Sequence, residues 1–310
     1  MPSLLHPAEA GRESLQRITR LVARIGGELG SLASDLLTRH GYVVGSDGGG
    51  PHANVLGHPL FGLPLWVDQA TSSADALESE VLLDICESSL CGYLSVRAED
   101  DYFDQRSGAP EAVMMLAGFL RTRHQALLAP WVSDRRFWVR FESLWHGYGE
   151  AMLLERSLHD PGRRYGAEEF DAVLDRSQPL EIPGQAVLSI KGCWHLTDRF
   201  TRLVRRLTRA TQLFDDFVDA PADLDAGNYT WMVRRLGGLE GATVLRKGMV
   251  TACDEVLAEA EGGLDAALAV AGDLAVGEML GWVEARKRVM KEVSARMYET
   301  LFGNLPVGDQ

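Results

Sequence analysis

Apolar residues recur along most of the chain at the three- and four-residue spacing of an amphipathic α-helix. In ESLQRITRLVARI, for example, Leu15, Ile18 and Val22 share one face and arginines occupy the other. No alternating strand pattern persists beyond a few residues, which predicts an all-α protein. Beyond the first helical segment, the periodicity predicts helices over 74–108, 110–129, 134–160, 184–220, 228–237, 240–262, 264–280 and 281–303.

One stretch, residues 41–66, lacks helical periodicity and is rich in Gly, Pro and Asn, which predicts a loop. Its GGG run is not followed by Lys-Ser or Lys-Thr, so it is not a phosphate-binding P-loop. No repeat of fixed period and no clear domain boundary interrupts the chain. Because 310 residues can bury a sizeable core, we predict a single helical domain over residues 1–310.

Composition narrows the classes of partner. A net charge of −13 argues against nucleic acid and anionic membrane surfaces. The four cysteines form no CxxC pair and are expected to be reduced thiols of a cytoplasmic protein. The N-terminal residues show no signal-peptide pattern. Three acidic residues interrupt the longest apolar run, residues 262–283, so we expect an amphipathic helix, no membrane insertion and a soluble protein.

Two clusters of aspartates share the spacing D-D-x-x-D. The members are Asp100, Asp101 and Asp104 in the first and Asp215, Asp216 and Asp219 in the second. Each cluster follows a long apolar stretch, so each is predicted at the end of a buried helix, where positions i and i+4 share a face. Stacked carboxylates repel one another unless a cation joins them, and oxygen-only ligands suit Mg²⁺. The alternative is two solvated acidic patches.

The second cluster belongs to a longer pattern that resembles a known family. QLFDDFVDAPADLDAGNYT carries Gln212, the three aspartates, and then Asp223, Leu224, Gly227 and Thr230. This is similar to the second acidic motif of the trans-polyprenyl diphosphate synthases, in the class I isoprenoid synthase superfamily. The first cluster, followed by Arg106, Gly108 and Pro110, resembles their first motif more loosely. The resemblance covers roughly residues 80–240, and residues 1–70 match the family poorly.

This resemblance implies a bundle of long helices around a central apolar cavity, with the acidic motifs facing each other at its mouth. Three Mg²⁺ ions would bridge the motifs to an allylic diphosphate and act as Lewis acids on the leaving group. Asp100, Asp104 and Asp215 are then the expected catalytic residues. The expected metal site comprises Asp100, Asp101, Asp104, Asp215, Asp216 and Asp219.

The resemblance also implies further roles. Lys191, Arg106 and Gln212 are expected to bind the diphosphate, and Tyr93, Val96, Phe217 and Trp194 to line the cavity. The basic run Arg286, Lys287, Arg288 and Lys291 is typical of a solvated face, with a cap over the pocket as the alternative. We expect a linear substrate of about C15 to C20 and, as in many relatives, a homodimer.

Three departures from the family pattern bear on the reaction. Chain-elongating members carry a Gly-Gly-Lys-x-x-Arg-Pro segment that grips isopentenyl diphosphate, whereas this chain has RIGGELGSL. The tandem arginine after the first motif is reduced to Arg106–Ser107, and Asn228 replaces the lysine of the second motif. The first hypothesis is therefore a magnesium-dependent terpene synthase that cyclises or quenches the carbocation, although the terpene-cyclase motif Asn-Asp-x-x-Ser-x-x-x-Glu is absent.

Two other hypotheses remain open. The second is a prenyltransferase that joins an allylic diphosphate to isopentenyl diphosphate or to a non-standard acceptor. The third is a non-catalytic subunit that binds prenyl diphosphates, and the intact acids of both motifs argue against it. Turnover of a lone allylic diphosphate separates the first hypothesis from the second.

Overall fold

The computed structural model describes residues 6–42, 59–71, 76–103, 110–158, 165–226, 230–235, 245–274 and 276–302. Over these residues the chain forms α-helices and short 3-10 segments without a strand, which confirms the all-α prediction. No helix in these ranges is long and apolar enough to cross a membrane.

The α-helices are α1 (Pro7–Ile25), α2 (Gly27–Arg39), α3 (Pro59–Ala70), α4 (Ser79–Phe103), α5 (Pro110–Leu128), α6 (Arg135–Leu158), α7 (Ala167–Val173), α8 (Glu181–Ile190), α9 (Thr197–Ala226), α10 (Trp231–Arg235), α11 (Leu245–Ala271) and α12 (Gly277–Phe302). The 3-10 segments are Leu174–Leu180, Trp194–Leu196 and Gly272–Leu274.

The contacts of the chain group it into two compact units. The first comprises Met1–Leu144 and Pro179–Phe200, and the second comprises Trp145–Gln178 and Thr201–Gln310. The boundaries fall within α6, α9 and the 3-10 segment after α7. The first acidic motif therefore lies in the first unit and the second motif in the second unit. The prediction of a single domain stays a prediction.

Helix α4 is the buried centre of the first unit and packs against α5, α1 and α3. Polar side chains of this helix are buried beside its apolar ones. They are tolerated there because side chains on other helices form hydrogen bonds with them. Glu87 accepts a hydrogen bond from Arg123 at 2.8 Å, and Glu99 accepts one from Arg121 at 2.5 Å.

The four cysteines are free thiols, and Cys86 and Cys91 are buried on this helix, as expected of core residues.

The structure corrects the predicted loop, because residues 59–66 belong to helix α3. The segment PLFGLPLW contains a glycine and two prolines, which disfavour a helix when judged from sequence alone. Burial outweighs that preference: Leu60, Phe61, Leu65 and Trp66 are each no more than 4% exposed. Pro59 stands at the first helical position, where a missing N–H costs nothing. Of the remaining residues of the predicted loop, Gly41 and Tyr42 are described, and residues 43–58 lie outside the described residues.

Several predicted helix ends also differ from the structure. The predicted helix 184–220 is broken after Ile190, and α9 continues through Pro221 to Ala226. The predicted break near residue 263 does not exist, because α11 runs through it. A Cβ on Gly263 would lie 3.1 Å from the Cβ of Ala210, so this glycine permits close packing of α11 against α9.

In the second unit, ion pairs and aromatic stacking connect α7, α9, α10 and α11. Arg209 forms ion pairs with Asp171 and, at 2.5 Å, with Glu259. The Phe170 and Trp231 rings stack with centroids 5.3 Å apart. Because these residues come from four helices, the charged and aromatic contacts together fix how the unit packs around α9.

One buried histidine makes the stability of the first unit depend on pH. The Nδ1 atom of His124 lies 2.9 Å from the carbonyl oxygen of Ser88, which can only accept, so Nδ1 carries the proton. The Ser88 hydroxyl in turn donates to the His124 carbonyl at 2.9 Å. Burial lowers the pKa of His124 from 6.5 to about 4.

We predict that the contribution of His124 to stability falls as the pH is lowered from 6.5 to 4. In that window the unfolded chain binds a proton that the folded chain does not, which costs up to roughly 3 kcal/mol. Urea unfolding of the wild type and of His124→Gln at several pH values tests this, because the difference between the two isolates the contribution of His124 from those of other titrating groups. The control is His146→Gln, on an exposed side chain. Equal pH dependence in the wild type and the His124 variant would contradict the prediction.

Candidate functional site

The first acidic motif lies in the last turn of α4, which ends at Phe103. Asp100 is half-buried and accepts a hydrogen bond from Arg97 at 2.9 Å. Asp101 is only 2% exposed, and its carboxylate lies 2.7 Å from Arg39 Nη1. Adjacent helical residues are rotated by about 100°, so the two aspartates have different surroundings. Asp104 and Arg106 lie outside the described residues.

Two of the predicted cavity residues share the helix face of Asp100. Tyr93 and Val96 precede it by two turns and one turn, and all three are half-buried, whereas Leu94 and Ser95 are buried. The Tyr93 ring lies 5.9 Å from that of Tyr42, and burial raises the pKa of Tyr42 well above its ordinary value. Tyr93, Val96 and Asp100 thus form a row of partly exposed side chains along one face of α4.

The second acidic motif divides in the same way on α9. Asp215 and Asp219 are exposed, whereas Asp216 is only 8% exposed. Gln212 donates a hydrogen bond to Asp216 at 2.5 Å and accepts one from Arg176 at 2.5 Å. Gln212, predicted to bind diphosphate, therefore bridges Asp216 to an arginine within its own unit, and its diphosphate role stays a prediction.

Burial of the Asp216 carboxyl changes its pKa. Burial raises its pKa from 3.8 to about 7, against the opposing effects of the Gln212 hydrogen bond and the Arg176 charge. Loss of solvation is therefore the main cause. Of the two adjacent aspartates in this motif, the exposed Asp215 is the more accessible to a ligand from solvent.

The structure places an arginine from the C-terminal basic run beside the second motif. Arg286 on α12 lies 3.6 Å from the carboxylate of Asp215, and its guanidinium stands 5.6 Å from the centroid of the Phe214 ring. Sequence spacing favoured a solvated face for this run. Arg288 and Lys291 are exposed, as expected of a solvated face, whereas Arg286 pairs with Asp215, and the cap over the pocket stays a prediction.

The other two predicted cavity residues have different environments. Phe217 is 1% exposed and packs against Phe214 and Tyr298 in the second unit. In the first unit, the Trp194 indole donates to Asp134 at 2.8 Å, and the Arg136 guanidinium lies 4.8 Å from the ring centroid. Hydrogen bonds from Arg136 hold the pKa of Asp134 at about 2, below its ordinary value. The cavity roles of Phe217 and Trp194 stay predictions.

Lys191 forms a buried ion pair. It follows the end of α8, and its ammonium donates to the carboxylate of Asp68 at 2.8 Å and to the Asp68 carbonyl at 2.9 Å. Both side chains are at most 5% exposed. The backbone N–H of Leu77 donates to the same carboxylate at 3.1 Å. This pair serves the packing of the first unit, and the predicted diphosphate role of Lys191 stays a prediction.

The accessible carboxylates fit a hard divalent cation by their chemistry, because Mg²⁺ prefers oxygen ligands and keeps several waters. Within the part of the chain that the structure describes, no group of three or more His, Cys, Asp or Glu side chains is arranged to hold a metal. A cation on either motif would therefore complete its shell with waters or with phosphate oxygens.

No family model and no curated protein matches this sequence. Solved structures do match its fold. A heptaprenyl diphosphate synthase from Staphylococcus aureus matches with a TM-score of 0.67 and 13% identity, over 94% of this chain and 99% of that one. A geranylgeranyl pyrophosphate synthase from Lactobacillus brevis matches with a TM-score of 0.65 and 14% identity, over 89% and 95% of the two chains.

A third solved structure is the polyprenyl synthase from Caulobacter crescentus complexed with calcium and isoprenyl diphosphate. It matches with a TM-score of 0.60 and 13% identity, over 94% of this chain and 96% of that one. The chain therefore has the class I isoprenoid synthase fold, as the motif resemblance predicts. At these identities the similarity shows the fold alone.

We predict that Lys191→Met lowers the free energy of unfolding by about 3 kcal/mol, because it leaves the Asp68 carboxylate buried without its ammonium partner. Urea unfolding measures this loss, and adding Asp68→Asn should recover part of it. Lys291→Met, on an exposed lysine of α12, is the matched control. A loss below about 1 kcal/mol in Lys191→Met would contradict a structural role for the pair.

Proposed function

We propose that this protein is a magnesium-dependent enzyme that ionises an allylic prenyl diphosphate and transfers the prenyl group to an acceptor. One observation carries the proposal. In a fold shared with three prenyl diphosphate synthases, each D-D-x-x-D motif presents an accessible carboxylate from a long helix, Asp100 on α4 and Asp215 on α9. The comparisons favour this hypothesis over a terpene synthase.

The accessible acids of each motif are the proposed metal ligands. Asp100 on α4 and Asp215 and Asp219 on α9 are accessible, Asp104 is the further expected ligand of the first motif, and three ions are expected from the resemblance. Mg²⁺ bound there would act as a Lewis acid on the departing diphosphate. The inward-facing Asp101 and Asp216 are weaker candidates, because both already have partners within their own units.

Two arginines are candidates for the diphosphate. Arg97 pairs with Asp100 and Arg286 pairs with Asp215. A cation on these carboxylates would compete with the guanidinium groups and release them to bind phosphate oxygens, for which the planar guanidinium fork is well suited. Arg106, Lys191 and Gln212 remain the further expected contacts of the diphosphate.

The row Tyr93, Val96 and Asp100 places apolar and aromatic surface directly before the proposed metal ligand. A prenyl chain along this row would be shielded from water, and the Tyr93 ring face could stabilise a cation. We propose that Tyr93 and Val96 help set the substrate length, expected at about C15 to C20. Phe217 and Trp194 remain candidates for the same wall.

The second candidate function is a terpene synthase. It is favoured by departures from the family pattern: RIGGELGSL stands where elongating enzymes carry basic residues that hold isopentenyl diphosphate, and Arg106–Ser107 replaces their tandem arginine. A non-standard acceptor would account for the same departures. A homodimer and a cytoplasmic location are further expectations.

We predict that Asp100→Asn and Asp215→Asn each lower kcat by roughly a hundredfold or more, because each weakens the binding of the Mg²⁺ whose positive charge would offset the charge developing on the departing diphosphate. Circular dichroism should show folded protein in both variants. Asp35→Asn, at an exposed position of α2, should keep full activity. Activity that survives in both motif variants would contradict the proposed metal site.

A second experiment separates the candidate functions. The protein is incubated with Mg²⁺ and geranyl, farnesyl or geranylgeranyl diphosphate, with and without isopentenyl diphosphate, and products and released diphosphate are measured. Turnover that requires the acceptor is expected of a prenyltransferase. Hydrocarbon or terpene alcohol from the allylic diphosphate alone would establish the terpene synthase. Binding of substrate without turnover in any mixture would favour the non-catalytic subunit.

A further inference from the structure

The end of α2 contacts α4 at two points, and both contacts depend on the way α2 ends. Gly41 adopts φ 73°, the left-handed conformation that favours glycine. Its N–H bonds the Thr38 carbonyl at 3.1 Å, and the N–H of Tyr42 bonds the Leu37 carbonyl at 2.7 Å. This pair of hydrogen bonds is a Schellman cap, which fixes the direction of the chain as it leaves the helix.

The cap directs three side chains at α4. Arg39 Nη1 lies 2.7 Å from the Asp101 carboxylate, and His40 Nε2 lies 3.6 Å from it, which is too far for a hydrogen bond. Tyr42 is 3% exposed and packs its ring against Tyr93. Tyr93 and Asp101 are eight residues apart, about 12 Å along the helix, so α2 holds α4 near its middle and at its end.

The last turn of α4 needs such support. It contains Asp100 and Asp101 and no basic residue, although negative charge at a helix C-terminus is unfavourable with the helix dipole. Asp101 is also almost fully buried, and burying a carboxylate without a partner is costly. Arg39 offsets both effects from outside the helix. With Asp101 held inward, the 100° step between neighbours turns Asp100 toward its half-exposed face.

We infer that Asp101 is an anchor rather than a metal ligand, and that Arg39 is a positioning residue that orients the metal-binding end of α4 through Asp101. The inference rests on the proposed function, since it concerns the metal ligands that the proposal assigns to this helix. The inference gives the two adjacent aspartates of the first motif different roles. Asp100 binds the cation, and Asp101 fixes the rotation of the helical turn that carries Asp100.

Binding of Mn²⁺ in the presence of inorganic diphosphate, measured by electron paramagnetic resonance, tests this without turnover. Arg39→Gln should weaken Mn²⁺ binding about tenfold or more, the size expected when a group that orients a ligand is lost. Arg39→Lys should recover most of the affinity, because it restores the positive charge. Arg24→Gln is the matched control, since Arg24 occupies the last turn of α1 as Arg39 occupies that of α2.

The aspartates supply the second comparison. Asp101→Asn keeps an oxygen that can accept from Arg39, so it should weaken Mn²⁺ binding far less than Asp100→Asn does. Adding Asp101→Asn to Arg39→Gln should cost nothing further, because no buried charge is then left unpaired. Thermal unfolding in EDTA confirms that each variant is folded. If Arg39→Gln does not fold, Arg39→Lys and Asp101→Asn still make the comparison.

Two outcomes overturn the inference alone: wild-type affinity in Arg39→Gln, or equal losses in Asp101→Asn and Asp100→Asn. Failure of the wild-type protein to bind Mn²⁺ with diphosphate contradicts the proposed function, and the positioning role falls with it. The two failures are therefore distinguishable, because only the second appears in the wild type.

Discussion

Adjacent aspartates on a helix point about 100° apart, and this rotation governs how both acidic motifs are built. In each motif one carboxylate turns into its own unit and is buried among partners, as Asp101 is with Arg39 and Asp216 is with Gln212. Its neighbour, Asp100 or Asp215, remains accessible and pairs with an arginine. The same arrangement in two separate units gives each adjacent pair of aspartates one buried and one accessible carboxylate.

Charge balance explains why the fold can hold these acids before any cation binds. The chain carries a net charge of −13, and its buried carboxylates are matched by basic side chains from neighbouring helices: Arg123 with Glu87, Lys191 with Asp68 and Arg140 with Glu181. Burying such an ion pair costs desolvation energy, and the attraction between the two charges offsets that cost only when their geometry is good. The accessible pairs at Asp100 and Asp215 are more exposed and hence weaker, so the proposed cation would have only weak ion pairs to replace.

The sequence predicts the helical class and the acidic motifs well, because both are periodic signals within short segments. It misplaces α3, since Gly and Pro disfavour a helix locally while the burial of Leu60 and Phe61 stabilises one. It also predicts a break near Gly263, where the glycine instead allows close contact with Ala210. The side chains that pair with the motif aspartates could not be predicted from the sequence. Arg39 is far from Asp101 in the chain, as Arg286 is from Asp215, and no local pattern connects them.

The central claim is that the accessible acids of the two motifs hold the cations that bind a diphosphate. A crystal structure with Mg²⁺ and inorganic diphosphate tests it most directly. The account predicts Mg²⁺ coordinated by Asp100 and by Asp215, with Arg97 and Arg286 moved from these carboxylates to phosphate oxygens and Asp101 still paired with Arg39. Metal and diphosphate bound away from both motifs, with the Arg97–Asp100 and Arg286–Asp215 pairs intact, would contradict it.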